Sequence, residues 1–251
     1  MRLDLFLVEK NYYPSRSKAR AAIEEKAVLV DGKEAKASLD VSDDNKIEII
    51  KNTNPYVSRG GLKLEKAIKE FRLDFSNKVI VDIGASTGGF TDCALQFNAS
   101  KVYSIDVGTN QLAEKLLEDP RVISLEQTNI KDISYFPEVI DYFVMDVSFV
   151  SIKHLLGVIS KFLDDNNALV CLIKPQFEVG KVYMKNGVVK DRTTHIKVLE
   201  SINEELKKYN LGIEKLIPSP ILGGSGNKEF LALIKKNIIS RINFIEVCSK
   251  E

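Results

Sequence analysis

Asp82-Ile83-Gly84-Ala85-Ser86-Thr87-Gly88-Gly89-Phe90 is the stretch on which the fold of this chain is read. It follows Lys78-Val79-Ile80-Val81, an apolar run short enough for a buried strand, and precedes Thr91-Asp92-Cys93-Ala94-Leu95, which has the character of a helix start. A strand, a tight glycine loop and a helix make a nucleotide-binding turn. Glycine lets the backbone approach a ligand because no Cβ intervenes. From about residue 60 the chain alternates strands and helices as far as about residue 235. Strands are expected at 79–82, 101–106, 121–125, 141–146, 168–174, 213–218 and 229–235. Helices are expected near 62–71, 89–97, 110–118, 151–162 and 193–209. The pattern predicts an α/β fold with a parallel sheet covered on both faces.

Before this region lies a smaller unit, residues 1–51. Leu3, Phe6 and Leu7 are spaced as on a short helix, and Pro14-Ser15-Arg16-Ser17 reads as the start of a second one. Val28-Leu29-Val30-Asp31-Gly32-Lys33 is a strand running into an Asp-Gly hairpin turn. Val41 and Lys46-Ile47-Glu48-Ile49-Ile50 supply further extended pieces. The polar, proline-ended run Lys51-Asn52-Thr53-Asn54-Pro55 opens an expected linker over 52–60. A main domain is expected over 61–236, and residues 237–251 form a tail of mixed character.

With 251 residues the chain suffices for one medium and one small domain. Apolar content of 44% and charged content of 28% are those of a globular protein. A net charge of +1 supplies no global field toward nucleic acid or membrane, so any basic patch is local. No apolar run approaches the length of a membrane span, and Asp4 falls where a signal peptide has its apolar stretch. Cys93, Cys171 and Cys248 form neither a disulfide framework nor a metal box, and His154 and His195 lack ligand spacing. The expectation is a cytoplasmic protein with reduced cysteines, no metal and no membrane partner.

A dinucleotide fingerprint needs G-x-G-x-x-G. Gly84 and Gly89 fit its outer glycines, but Ser86 stands at the middle position, where glycine lets the backbone reach a pyrophosphate. That counts against a nicotinamide or flavin dinucleotide. A phosphate-cradling Walker loop is excluded, because Gly88-Gly89-Phe90 lacks its Gly-Lys-Ser/Thr ending. The order Asp-x-Gly-x-x-x-Gly, from Asp82 through Gly84 to Gly88, resembles the first motif of S-adenosylmethionine-dependent methyltransferases. That ligand carries a sulfonium and no phosphate, so the acid at Asp82 is tolerable. Ser86 and Phe90 complete the candidate loop. Asp106 ends the second strand, where its carboxylate could bond both cofactor ribose hydroxyls, a role shared with nicotinamide sites. Asn129 follows the third strand, where an adenine contact would fall.

Four polar residues are awkward for a purely structural reading. Lys174 closes the apolar strand Ala168-Leu169-Val170-Cys171-Leu172-Ile173 and is followed by Pro175. Asp146 ends Tyr142-Phe143-Val144-Met145, Glu229 begins Phe230-Leu231-Ala232-Leu233-Ile234, and Lys63 lies in Tyr56-Val57-Ser58-Arg59-Gly60-Gly61-Leu62-Lys63. Carboxyl ends of such strands face the ligand crevice. Taken singly, each also reads as a solvated rim or helix-surface residue.

Residues 56–236 resemble the FtsJ-type ribose 2′-O-methyltransferases, and most closely the TlyA group of ribosomal RNA methyltransferases, also known as hemolysins. The resemblance rests on Tyr56 to Gly61, Asp82 to Asp92, Asp146-Val147-Ser148-Phe149, Lys174-Pro175-Gln176-Phe177-Glu178 and Gly226-Asn227-Lys228-Glu229-Phe230-Leu231. It implies a Rossmann-like sheet, S-adenosyl-L-methionine as cofactor, a cytidine ribose in ribosomal RNA as substrate, and a Lys-Asp-Lys-Glu tetrad at Lys63, Asp146, Lys174 and Glu229. Lysine serves as a base only when neutral; burial and a second ammonium favour that form and neighbouring carboxylates oppose it. Lys174 is taken as the base.

Residues 1–51 resemble the RNA-binding fold named after ribosomal protein S4, through Arg2-Leu3-Asp4, Ser15-Arg16-Ser17-Lys18-Ala19 and Val28 to Lys33. Arg16 and Arg20 are one helical turn apart. Arg2, Arg16, Lys18, Arg20 and Lys33 are the expected contacts to RNA phosphates, with Lys26 and Lys36 flanking them. The partner implied is ribosomal RNA or a ribosomal subunit. Alternatives are a non-catalytic RNA-binding protein that keeps only the fold, a membrane-active hemolysin, for which no strongly amphipathic segment speaks, and a nicotinamide enzyme.

Overall fold

The computed structural model describes residues 1–24, 26–50 and 54–249. The chain divides into two compact units, Met1–Pro55 and Tyr56–Glu251.

In the first unit, helices α1 (Leu3–Glu9) and α2 (Arg16–Glu24) precede strands β1 (Val28–Val30), β2 (Lys33–Glu34) and β3 (Ile47–Ile49). The strands form an antiparallel sheet in the order β2-β1-β3. Leu3, Phe6 and Leu7 of α1 share a core with Ala19, Ala22 and Ile23 of α2 and with Val28 and Val30. Asp31 and Gly32 both have positive φ, +51° and +76°, as a primed two-residue hairpin turn requires.

The second unit runs α3 (Gly60–Phe71), β4 (Val79–Ile83), α4 (Gly89–Gln96), β5 (Lys101–Ile105), α5 (Glu114–Leu117), β6 (Val122–Leu125), β7 (Tyr142–Met145), α6 (Lys153–Ile159), β8 (Ala168–Ile173), α7 (Pro175–Glu178), α8 (Arg192–Lys207), β9 (Leu211–Pro218), β10 (Phe230–Lys236) and α9 (Phe244–Ser249). Its seven strands lie in the order β6-β5-β4-β7-β8-β10-β9. The sheet is not wholly parallel as expected: β10 runs antiparallel to both β8 and β9. No α-helix separates β9 from β10, and a connection without a crossover helix returns the chain in the opposite direction.

Strand β8 shows how the layers form. Every residue from Ala168 to Ile173 is buried. Ala168, Val170 and Leu172 pack in one core with Leu64, Ala67 and Ile68 of α3 and Ala94 of α4. Leu169, Cys171 and Ile173 pack in the other with Leu156 and Ile159 of α6 and Leu199 and Ile202 of α8. Alternation with period two therefore divides one continuous apolar run between two helical layers.

Three expectations are revised. The helix expected over 110–118 forms only at Glu114–Leu117. Glu126 accepts the backbone N–H groups of Asn110, Gln111 and Leu112, and Asn110 has a φ of +52°, so these residues are drawn out of the helix. Residues 56–60 belong to the second unit: Tyr56 is buried, and the Val57 N–H donates to Asp92 Oδ2 at 2.7 Å. Lys51, Asn52 and Thr53 of the expected linker lie outside the described residues. The tail contains α9, whose Val247 and Cys248 join the core beside α8; residues 250 and 251 lie outside the described part. All three cysteines are buried and free. No helix among the described residues is long and apolar enough to cross a membrane.

Candidate active site

The register of the sheet assembles the site. Ile83 of β4 pairs with Met145 of β7, and Met145 with Cys171 of β8, so the parallel strands end along one edge. Phe230 of β10 pairs with Ile173 of β8. Because β10 is reversed, Glu229, which precedes it, arrives opposite Lys174, which follows β8. Lys63, on the first turn of α3, completes the group.

Lys63 Nζ donates to Glu229 Oε2 at 2.7 Å and lies 3.9 Å from Asp146 Oδ2. Lys174 Nζ lies 2.5 Å from Asp146 Oδ1 and donates to Ser148 Oγ at 2.7 Å. Glu229 is 2% exposed, and its second oxygen accepts from Gln176 Nε2 at 3.2 Å. The structure thus brings together all four residues singled out from sequence. Two cations and two anions balance in charge. Such a buried group tolerates desolvation only while every member keeps its partner.

The loop after β7 is gripped by the segment after β8. Besides the Lys174 contacts, the Phe149 ring lies 5.1 Å from that of Phe177. Glu178 accepts from Ser151 Oγ at 2.6 Å and from the Ile152 N–H at 2.8 Å. Phe149 has a φ of +64° and is 91% exposed. A bulky aromatic in the left-handed region is strained, and such strain persists only where neighbours enforce it.

Beside the four residues is a cleft of about 500 Å³ at the switch point between β4 and β7, lined by Gly84, Ser86, Asp106, Asn129, Asp146 and Phe149 among others. Asp106 accepts the Ser86 N–H at 2.8 Å and the Gly108 N–H at 2.7 Å, which fixes its carboxylate at the wall. Asn129 caps a short 3₁₀ turn by accepting the Lys131 N–H at 3.0 Å. A Cβ on Gly84 (φ +82°) would stand 2.9 Å from the Asp146 carbonyl oxygen, so only glycine lets the two strand ends pass. Asp146 belongs both to the cleft wall and to the ionic cluster.

Three residues expected to touch a cofactor do not line this cleft. Asp82 is fully buried below the loop, accepting from Thr91 Oγ1 at 2.7 Å, and Thr91 in turn pairs with Ser104. Burial pushes its carboxyl up to about 7; the Thr91 bonds hold it back, and the charges of Asp146 and Asp106 add to the rise. Gly88 makes room for the side chains of Leu112 and Leu116, which a Cβ would meet at 2.7 and 2.2 Å. Phe90 is buried in the α3–α4 layer. These residues shape the loop from beneath.

His195 is buried, with Nε2 3.1 Å from the Val189 carbonyl, and His154 is exposed. Among the described residues no group of histidines, cysteines and carboxylates could hold a metal ion.

In the first unit, Arg2 grips the buried Asp4 through Nε and Nη2 at 3.0 and 3.1 Å, and Arg16 Nε donates to the same carboxylate at 2.9 Å. The hydrogen bond from Arg2, with that from Arg16, holds the Asp4 carboxyl down at about 2 against the cost of burial. The two guanidinium side chains remain 43% and 50% exposed. Lys18 and Arg20 are exposed on α2, and Lys33 on β2; Lys26 is paired with Glu34.

Sequence reasoning passed over Ser148, Phe149 and Gln176 as site residues. All three lie inside stretches quoted for other reasons, and only tertiary proximity sets them apart. The triplet Ser148-Phe149-Val150 between a strand and a helix was the available signal.

Residues 56–236 match the family described as FtsJ-like methyltransferase, and residues 1–47 match the S4 domain. A protein named Hemolysin A from Brachyspira hyodysenteriae is 42% identical over 237 residues, covering 92% of this chain and 98% of the relative. The 23S rRNA (cytidine-2′-O)-methyltransferase TlyA of Campylobacter jejuni is 36% identical over 262 residues, covering 94% of this chain and 100% of the relative. A solved structure from Streptococcus thermophilus that carries the hemolysin name superposes with a TM-score of 0.78 at 36% identity, covering 99% of this chain and 94% of that one.

Proposed function

The chain belongs to the FtsJ-like methyltransferase family, and from that membership we propose that it methylates a ribose 2′-hydroxyl of cytidine in ribosomal RNA, using S-adenosylmethionine. The observation that carries the proposal is the convergence of Lys63, Asp146, Lys174 and Glu229 at a cleft whose wall includes Asp146. The cytidine and the ribosomal RNA come from the name of the Campylobacter relative, and the S4 match over residues 1–47 supports an RNA partner.

The cleft suits the cofactor. Asp106 offers a fixed carboxylate to ribose hydroxyls, and Asn129 carries a side-chain amide. Ile105, Val107, Ile130 and Leu155 provide apolar wall for a flat base. Asp146 adds negative charge on the side where a cationic sulfur is tolerated. When bound, the cofactor supplies a methyl group on that sulfur; the ribose oxygen takes it as the carbon–sulfur bond breaks, with the electron pair remaining on sulfur.

The residues of this chain do the rest. Lys174, held by Asp146 and Ser148, takes the hydroxyl proton. Lys63, itself held by Glu229, keeps Asp146 in place by charge. Placement of the hydroxyl beside the amine supplies the approach geometry. Phe149, exposed beside Phe177, offers a face on which a base withdrawn from its helix can stack.

The test is transfer of tritiated methyl groups to ribosomal RNA, followed by mapping of the 2′-O-methyl position. Wild-type protein is expected to label a cytidine ribose. Lys174→Ala is expected to abolish transfer while cofactor binding, measured by calorimetry, survives. Loss of both together in Lys174→Ala would remove the role given to this lysine.

A further inference from the structure

We propose that Ser148 aims the Lys174 amine at the substrate hydroxyl, acting as a positioning residue; the inference rests on Lys174 being the base. A neutral amine has two N–H bonds and one lone pair on a tetrahedral nitrogen. Lys174 Nζ meets two oxygens of this chain: it forms an ion pair with Asp146 Oδ1 at 2.5 Å and donates a hydrogen bond to Ser148 Oγ at 2.7 Å. When both N–H bonds are so engaged, the lone pair occupies the remaining direction and no other. With Asp146 alone, rotation about the Cε–Nζ bond would let the lone pair exchange places with an N–H, and the amine would face the substrate with the wrong group.

The surrounding structure holds the serine to this task. The chain turns at Phe149, whose φ of +64° sends its ring outward while the Ser148 hydroxyl meets the lysine. On the far side, Glu178 anchors Ser151 and Ile152. Ser148 is therefore fixed from both directions, and a strained backbone at this point has a use. Its place on the exposed rim leaves the hydroxyl hydrogen to water, so the oxygen stays an acceptor. The charged groups facing Lys174 are Asp146 after β7 and, one contact further, Lys63 on α3, itself paired with Glu229 before β10. Among the described residues whose side chains meet the lysine nitrogen, Ser148 is the uncharged acceptor, able to orient the amine without adding negative charge.

In the step so arranged, the 2′-hydroxyl O–H bond breaks with its electron pair left on oxygen, and the proton forms a third N–H bond on Lys174, giving the ammonium. Oxygen then carries the pair that forms the new bond to carbon.

The experiment compares Ser148→Ala, Ser148→Thr and Lys174→Ala in the full chain, with ribosomal RNA as substrate. Ser148→Ala is expected to lower kcat about tenfold, a part of what a general base contributes, with KM for the cofactor, RNA affinity and thermal midpoint unchanged. Ser148→Thr keeps the acceptor oxygen and is expected to restore most of kcat. The proposal is overturned if Ser148→Ala turns over like wild type, if its loss lies in KM, or if the threonine is as poor as the alanine. Methyl transfer by Lys174→Ala would instead overturn the base assignment, so the two failures are told apart.

Discussion

Asp82 is a carboxyl group held out of water at the foot of the glycine loop, with one oxygen bonded to Thr91 and, among the described residues, no partner for the other. An acid whose carboxyl is pushed up to about 7 retains in the folded state a proton that the unfolded chain releases near pH 4. Stability from this residue is therefore fully present below about pH 4 and falls as pH rises toward 7, by a few kcal/mol in order of magnitude. Asp82→Asn removes the titration. Urea unfolding should show the stability of the variant relative to wild type improving between pH 4 and pH 7 and levelling off above. Parallel curves across that range would place the cost elsewhere. The same residue shows how far a motif reaches. Its place at the opening of the glycine loop was legible, because an acid closing an apolar strand before glycines is a local pattern. Its depth was not, because a one-dimensional pattern does not distinguish a side chain on the cleft wall from one beneath the floor. Asp106, by contrast, lines the cleft, since it lies beyond its strand, where the chain must leave the sheet.

Glycines set how closely the elements of the second unit approach. A Cβ on Gly89, at the start of α4, would lie 2.2 Å from Ser58 Oγ, 3.0 Å from the Gly61 nitrogen and 3.3 Å from the Gly60 Cα. Two of those neighbours are backbone and cannot give way without moving α3, which carries Lys63. Gly89→Ala should destabilise the protein by about 1–3 kcal/mol, as overpacking does, and lower kcat sharply through displacement of Lys63. Gly180→Ala, with nothing within 4 Å, is the matched control and should leave both unchanged. Thermal unfolding and turnover on the two variants check this. Equal behaviour would mean the helices accommodate the methyl. A second case is Gly223, where an added Cβ would fall 1.9 Å from Glu229 Oε1. Glu229 is held by Lys63 and Gln176, so Gly223→Ala is expected to cost most of the methyl transfer in the tritium assay, and full activity would show that the carboxylate can step aside. The glycine pairs were visible as motifs and read as making room for a ligand. At Gly88 and Gly89 they make room for other parts of the protein. That difference depends on which element packs across the loop, which local sequence does not state.

Over the whole chain, lysines and arginines number 36 and aspartates and glutamates 35. Near-neutrality leaves binding of a polyanion to local faces. On the first unit such a face is framed by Arg2 and Arg16, both tethered to the buried Asp4, with Arg20 one turn further on α2. Arg16→Ala combined with Arg20→Ala should weaken RNA binding about tenfold or more and reduce the slope of log affinity against log salt by roughly one to two, because fewer phosphates are neutralised and fewer counterions released. Cofactor affinity, which belongs to the second unit, should be unchanged. An unaltered salt slope would assign phosphate binding to other residues.

By itself the amino-acid sequence determined the alternation of strands and helices, the split of the chain into a small and a large unit, the glycine turn and the four polar residues of the cluster. Most of these are carried by local periodicity or by residue types at strand ends, and local patterns survive whatever the rest of the chain does; Lys63, on a helix, was joined to the other three by the family resemblance of its stretch. Tertiary structure alone decided that β10 is reversed. Only that reversal carries Glu229, at the beginning of a strand, to the edge where Asp146 and Lys174 end theirs. Strand direction follows from which neighbours complete the sheet's hydrogen bonds and cores, and that choice is made between segments far apart in the chain.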